Sequence, residues 1–288
     1  MHGLIGIVLT FAMVFGGYLL AGGKMAIILK SLPFELMIIG GAATGSFLIG
    51  NDMPLVRQTL KDIRKVFKGP KWHSTDYRDL LCLMFEVMRV ARHSPVALEL
   101  HIEEPENSEI FKKYPKILND HEAVELICDT LRSASMNYDD PNQVEEILDN
   151  RIDAHIHHAL MPSHALQTMA DGLPALGIVA AVLGVIKTMG SIDQPPEVLG
   201  KLIGGALVGT FLGVFLAYGL VAPFATKLKA IAEEDSNFYQ LIREVLIANL
   251  YEHPTNICIE VGRQHTPIHC RPSFSELESA LRNLKSAA

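Results

Sequence analysis

This chain has little that could serve as a catalytic or nucleic-acid apparatus. It has one tryptophan, 7% aromatic residues and four cysteines among 288 residues. No G-x-S-x-G, S-x-x-K, H-E-x-x-H, phosphate loop or G-x-G-x-x-G occurs, so the familiar serine-nucleophile, zinc-hydrolase and nucleotide-binding chemistries lack their residues. A net charge of −7 and a pI near 5.9 leave no basic stripe for a nucleic acid.

Charge itself is missing from four stretches. Residues 3–23 and 202–226 carry none, 33–51 carries only Glu35 near its start, and 172–192 carries only Lys187, late enough to snorkel to an interface. A helix needs about 20 mostly apolar residues to cross the hydrocarbon core, so each run predicts a transmembrane helix. The first run follows only His2, lacks a basic leader and ends in Gly-Gly-Lys, which reads as a retained helix rather than a cleaved signal. The composition agrees: 49% of residues are hydrophobic, mean hydropathy is +0.24, and the 20% that are charged fall mostly in the middle and the tail.

Basic residues set the orientation. Arg57, Lys61, Arg64, Lys65, Lys68 and Lys71 follow the second run and Lys227 and Lys229 the fourth, whereas the loop near 190–200 carries Asp193 and Glu197. The positive-inside rule then places the middle, the tail and both termini in the cytoplasm, with Lys24 and Lys30 of the first loop dissenting. The four cysteines, Cys82, Cys128, Cys258 and Cys270, would be cytoplasmic and reduced.

The middle reads as helix, with Leu80, Met84, Val87, Met88 and Ala91 at three- and four-residue spacing. Pro95 interrupts it, 103–115 is a polar connector, a second helix is expected over 117–137, and Asp139-Asp140-Pro141 signals a third over 141–158. The tail extends the fourth span through Tyr251, breaks at Pro254, Pro267 and Pro272, and ends in an amphipathic stretch over 273–285. The fold class is therefore an all-α membrane protein: four transmembrane helices with a cytoplasmic helical domain built on the extended helices. Helices 1 and 2 occupy 1–54, the cytoplasmic domain 55–170, helices 3 and 4 171–226, and the tail 227–288.

Two clusters invite a metal reading. His155, His157, His158 and His164 crowd one stretch, as do Cys258, His265, His269 and Cys270, but neither matches a standard ligand spacing. No metal or other cofactor is expected.

Small residues recur inside the spans at four-residue steps: Gly205, Gly209, Gly213 and Ala217 in the fourth, Gly177, Ala181 and Val185 in the third, Gly41 and Gly45 in the second. Such stripes let helix backbones approach where lipid supplies no hydrophobic drive. They serve either packing within one chain or an assembly interface or pore. The acids near the spans, Glu35 and Asp171, lie at their ends, so an ion-binding carboxylate is expected from another chain. Thr210 is the best-placed hydroxyl to face it; the alternative is a back-bond to the carbonyl one turn earlier. Pro174 starts its helix or hinges it, and Pro223, after a long apolar run, frees the carbonyl of Gly219 and is the stronger hinge.

The runs DGLPALGIVAAVLGVIKTMGS (171–191) and LVGTFLGVFLAYGLVAPFA (207–225), with LELHIEEPENSEIFKKYP (98–115) and RPSFSELE (271–278), resemble the MotA family of flagellar motor stator proteins over nearly the whole chain and in the same order. The resemblance implies an inner-membrane ion channel of about five such chains around two MotB chains, MotB supplying the channel aspartate. It implies that Pro174 and Pro223 are the family's two functional prolines, and that Arg92 and Glu99 engage the rotor protein FliG. Ala181 stands where sodium-driven relatives resemble one another in carrying threonine, and Thr210 matches the threonine shared more widely. That pattern implies transport of a proton rather than sodium. Membrane lipid is the surroundings, no enzymatic activity or nucleic-acid partner is implied, and the alternatives are an ExbB- or TolQ-like energising subunit or a non-conducting scaffold.

Overall fold

The computed structural model of the protein describes residues 2–135 and 141–286, and its regular elements are helices. Helix α1 (His2–Leu20) and α2 (Met25–Gly50) are joined by a short turn. Gly22 takes a φ of +82° at the turn, which favours glycine, and a Cβ on Gly23 would stand 2.4 Å from the Tyr18 ring and have to displace it. Helix α2 begins eight residues before the expected start of the second span, which takes Lys30 out of the loop. The same shift moves Glu35 from the end of a span to the eleventh residue of a 26-residue helix.

Short helices α3 (Met53–Asp62) and α4 (Lys65–Lys68) lead to α5 (Ser74–His93). The break at Pro95 is observed: Ser94 Oγ accepts the Ala97 N–H at 3.2 Å and starts α6 (Pro95–Glu103). The polar connector contains one further helical turn, α7 (Glu109–Lys112), capped by Ser108. The helix expected over 117–137 is divided into α8 (Pro115–Leu118) and α9 (His121–Ser135), and residues 136 and 137 lie outside the described residues. The division has a local cause, because Asp120 Oδ1 accepts the Ala123 N–H at 2.8 Å and caps a new start. Asp139 and Asp140, the expected cap of the next helix, also lie outside the described residues.

Helix α10 (Pro141–Met189) runs unbroken for 49 residues through Pro162 and Pro174, where a separate helix over 141–158 and a span over 172–192 were expected. Helix α11 (Pro196–Leu216) passes through a π turn, Ala217–Val221, into α12 (Ala222–Leu250). At about 1.5 Å per residue, α10 and the α11–α12 rod are far longer than a bilayer requires. Helices α13 (Thr255–His265) and α14 (Phe274–Ser286) complete the chain. Ser273 and Glu276 form a reciprocal capping box at the start of α14, with Ser273 N–H to Glu276 Oε2 at 2.8 Å and Glu276 N–H to Ser273 Oγ at 3.3 Å. Four helical stretches, in α1, α2, α10 and α11–α12, are long and apolar enough to cross a membrane.

The chain divides into two compact units. One comprises Met1–Gly69 with Ala159–Ile231. Its core joins Ile39 and Ala43 of α2, Leu173 and Ala180 of α10, and Leu212 with Ala217. Phe11 and Phe15 of α1 pack edge-on against Phe215 of α11 at 5.1 and 5.5 Å between ring centroids. Large apolar side chains such as Ile49, Met37 and Ile186 point outward, as a lipid-facing surface requires.

The other unit comprises Pro70–His158 with Ala232–Ala288 and is built like a water-soluble protein. Helix α5 is buried from Leu80 to Met88, packed with α9, α12 and α13 residues. Trp72 stacks on Phe238 at 3.8 Å and 5° between planes, with Tyr77 edge-on to Phe238. Arg151 ties α10 to Glu122, Glu125 and Asp129 of α9 at 3.0–3.2 Å, and Arg243 of α12 pairs with Glu145 and Asp149 of α10. Phe238→Ala is expected to destabilise this unit by about 3–5 kcal/mol. Limited proteolysis of the full chain should then cut within α5 and α9 before the apolar helices; an unchanged cleavage pattern would show that the stack is dispensable.

Candidate functional site

Two of the apolar stretches touch backbone to backbone. A Cβ on Gly213 would lie 2.7 Å from both the Gly177 Cα and the Leu173 carbonyl oxygen, and one on Gly184 would lie 2.6 Å from the Ala206 Cβ. Midway, a Cβ on Gly209 would meet the Ala180 Cβ and the Ala181 backbone nitrogen, each at 3.1 Å. The stripes therefore serve packing within one chain along this seam. Gly184, not Val185, continues the α10 ridge, since Val185 is half exposed. Gly205 turns instead to α2, its Cβ position 3.0 Å from Ser31 Oγ, while Gly41 and Gly45 have no atom within 4 Å of theirs.

The seam brings Ala181 and Thr210 to one level, because Gly209 next to Thr210 is the residue that meets Ala181. Both are partly exposed. The back-bond weighed for Thr210 does not form: Thr10, Thr44 and Thr188 of the same unit each donate to the carbonyl four residues earlier at 2.7–2.9 Å, whereas the Thr210 hydroxyl makes no hydrogen bond among the described residues. Opposite Gly209 is a group that sequence reasoning placed at a span's end. Glu35 is 7% exposed, its Oε2 has no hydrogen-bond partner, and that oxygen lies 2.7 Å from where a Gly209 Cβ would be.

Pro174 lies inside α10, one residue after the Leu173 carbonyl that touches Gly213. Pro223 is exposed and follows the π turn, in which Ala222 N–H donates to the Ala217 carbonyl, a five-residue step. Proline removes the donor for the carbonyl four residues before it, and a π turn is one way a helix absorbs such a break without ending. Here Pro223 and the wide turn share one place.

In the other unit, Arg92 lies in the last turn of α5 and donates to the His253 carbonyl, while Glu99 stands exposed on α6 with no partner among the described residues. The two charges occupy successive helices and make no ion pair with each other. Val96, three residues before Glu99, and Leu100, the residue after it, are 72% and 74% exposed. The histidine and cysteine clusters do not assemble as the sequence groups them. His155 stacks against Tyr239, and burial lowers its pKa. Cys258 is fully buried and donates to the His253 carbonyl, and His265 lies near Glu244. His269 and Cys270 instead meet Glu234 of α12, a residue far away in sequence that no spacing rule could supply. Burial pushes the Cys82 thiol up to about 11 and the Cys128 thiol up to about 12, so both stay protonated and unreactive.

Residues 4–95 match the N-terminal domain of motility protein A, and residues 119–240 match the MotA/TolQ/ExbB proton channel family. Motility protein A of Escherichia coli (strain K12) is 40% identical over 98% of this chain and 96% of its own length. The chain belongs to the motility protein A family. Chemotaxis protein LafT of Vibrio parahaemolyticus is 35% identical over 98% of both chains. The fold is similar to that in the structure of C. jejuni MotAB (TM-score 0.73, 21% identity, 94% of this chain and 98% of that one). It is also similar to that in the flagellar MotAB stator complex from Bacillus subtilis (TM-score 0.68, 23% identity, 99% and 98%).

As a motility protein A, the chain is a membrane-embedded channel-family subunit, and its glycine-lined seam is the structural heart of its membrane unit. Gly213→Ala should cost about 1–3 kcal/mol, because the new methyl meets backbone atoms that cannot rotate away. Gly41→Ala, facing open space, should stay within about 0.5 kcal/mol. Thermal unfolding of the two variants in detergent checks the contrast, and equal midpoints would refute the seam's importance.

Proposed function

We propose that this chain is the ion-conducting, torque-transmitting subunit of a flagellar stator. Five copies surround two MotB-like single-span partners in the bacterial inner membrane, with both termini and the soluble unit cytoplasmic. The observation that carries the reading is Thr210. In a chain of the proton channel family, its hydroxyl has no hydrogen-bond partner among the described residues at the level of Ala181, where a partner's carboxylate could accept it. Four candidate spans and the N-terminal match favour this over a TolQ- or ExbB-like role.

The proposed cycle is electrostatic. A carboxylate in a low-dielectric channel is costly as an anion, and protonation removes that cost and changes which helix packing is preferred. Each proton crossing brings about 2.3 kcal/mol per 100 mV of membrane potential. Pro174 and Pro223 lie where α10 and the α11–α12 rod can bend, so a change at the partner's carboxylate is passed along helices that run on beyond the membrane. Sodium would need several oxygen ligands to replace its water. Ala181 offers none, so the transported ion is a proton.

Motility should persist when sodium is replaced by potassium and stop with a protonophore. Thr210→Val should slow swimming while leaving the protein in the membrane. Swimming speed that follows sodium at constant proton-motive force would overturn the ion assignment, and an unaffected Thr210→Val strain would remove Thr210 from the pathway.

The cytoplasmic unit would meet the rotor protein FliG through Arg92 and Glu99, the latter set between the outward-facing Val96 and Leu100. Charge reversal at an interface rim changes steering and register more than folding. Glu99 is the cleaner probe, since Arg92 also holds the His253 carbonyl. Glu99→Lys should reduce torque with normal membrane levels, and a charge-reversed FliG should restore it. Full torque in the Glu99→Lys, Arg92→Glu double variant would exclude this surface as the rotor contact.

A further inference from the structure

Glu35 is the one acid that α2 carries into the interior of the membrane unit. It lies about 15 Å from the Met25 end of the helix, at about 1.5 Å per residue, well inside a core about 30 Å thick. Its side chain is more than nine-tenths buried, and its Oε2 is unpartnered and fills the space left by the missing side chain of Gly209. One turn earlier, Ser31 Oγ occupies the same position relative to Gly205. Two polar groups of α2 therefore face the glycine stripe of α11, at the level where Gly209 also meets Ala181.

The surrounding helices bring no counter-charge to it. Within the spans, Lys187 of α10 and Lys30 of α2 are exposed, Lys201 of α11 pairs with Glu197 at 3.2 Å, and α1 has no ionisable side chain beyond His2 except Tyr18. No cation among the described residues forms an ion pair with Glu35. A lone carboxylate anion costs several kcal/mol or more to hold in such a place, and intramembrane acids persist where they bind an ion or a proton. A purely structural acid would have found a donor in this tightly packed seam. At the Gly209 Cβ position the Glu35 oxygen shares its space with the Ala180 methyl and the Ala181 backbone nitrogen.

We infer that Glu35 is a second proton-binding site of the channel, contributed by this chain rather than by its single-span partner. The inference rests on the channel reading above. A proton entering from the outer side adds to the Glu35 carboxylate as an O–H bond. Its release breaks that bond and passes the proton to the partner's carboxylate, so charge and atoms balance without any oxidant or co-reactant. Glycine at 209 is then a requirement of the site as well as of the seam, because any side chain there would displace the carboxyl oxygen.

The test uses the full chain co-purified with its single-span partner and reconstituted in proteoliposomes, for wild type, Glu35→Gln and Glu35→Asp. Proton flux should fall about a hundredfold in Glu35→Gln, the lower end of what a positioned proton-transfer group contributes. Glu35→Asp should recover part of it with a displaced pH profile. In parallel, infrared difference spectra are recorded on complexes whose partner aspartate is replaced by asparagine. They should show a buried carboxyl band that titrates in wild type, shifts in Glu35→Asp and is lost in Glu35→Gln.

A Glu35→Gln complex that conducts at the wild-type rate and pH profile would overturn the proposal, as would a wild-type spectrum without a titrating carboxyl band. If wild type itself conducts no protons, the channel reading falls, and the infrared titration still decides whether Glu35 binds and releases a proton.

Discussion

The contact on which the membrane unit depends is the approach of α10 to α11 at glycine. Lipid is as apolar as leucine, so burying side chains gives two membrane helices no reason to associate. What remains is dispersion between surfaces that fit closely. Gly177 against Gly213, and Ala180 and Ala181 against Gly209, permit that fit by removing the atoms that would hold the backbones apart. α2 lies against the same stripe through Ser31 and Glu35, so three helices share one line of missing side chains.

The two units treat polar atoms differently. In the unit of Pro70–His158 with Ala232–Ala288, Asp120 receives Lys71, the Tyr239 hydroxyl and the Ala123 N–H, and Glu86 receives Lys113 and the Tyr114 hydroxyl. These carboxylates act as fasteners between helices. In the membrane unit, the Thr210 hydroxyl and Glu35 Oε2 have no hydrogen-bond partner among the described residues, although neighbouring threonines back-bond. Leaving a polar group unpaired in apolar surroundings is unfavourable. Two such groups lie on either side of Gly209, and the fold is supported elsewhere by the Phe11–Phe215 contacts and the Ile39–Leu212 core.

Helix bending is concentrated in the same way. The π turn at Ala217–Val221 and Pro223 together interrupt the regular four-residue register of a rod that runs from Pro196 to Leu250. Elsewhere the rod is ordinary α-helix.

The sequence alone determined the four spans, the all-α class, the break at Pro95, the amphipathic end of the tail and the family. Each of these is encoded in contiguous residues: apolar length, a proline, a helical period, a run of matching letters. It misjudged what depends on where a helix begins or what it packs against. Nothing in the letters around Lys24 shows that α2 starts there rather than at Pro33, because that start is set by the Gly22 turn and the Tyr18 ring over Gly23. The depth of Glu35 changes with it. Gly41 and Gly45 carry the same spacing as Gly209 and Gly213, yet only the second pair has another backbone against it. Likewise, Glu234 joins His269 and Cys270 only after the chain has folded back on itself. Spacing places residues on a helix face, but which faces meet is decided by packing between segments far apart in the chain, and only the tertiary structure holds that information.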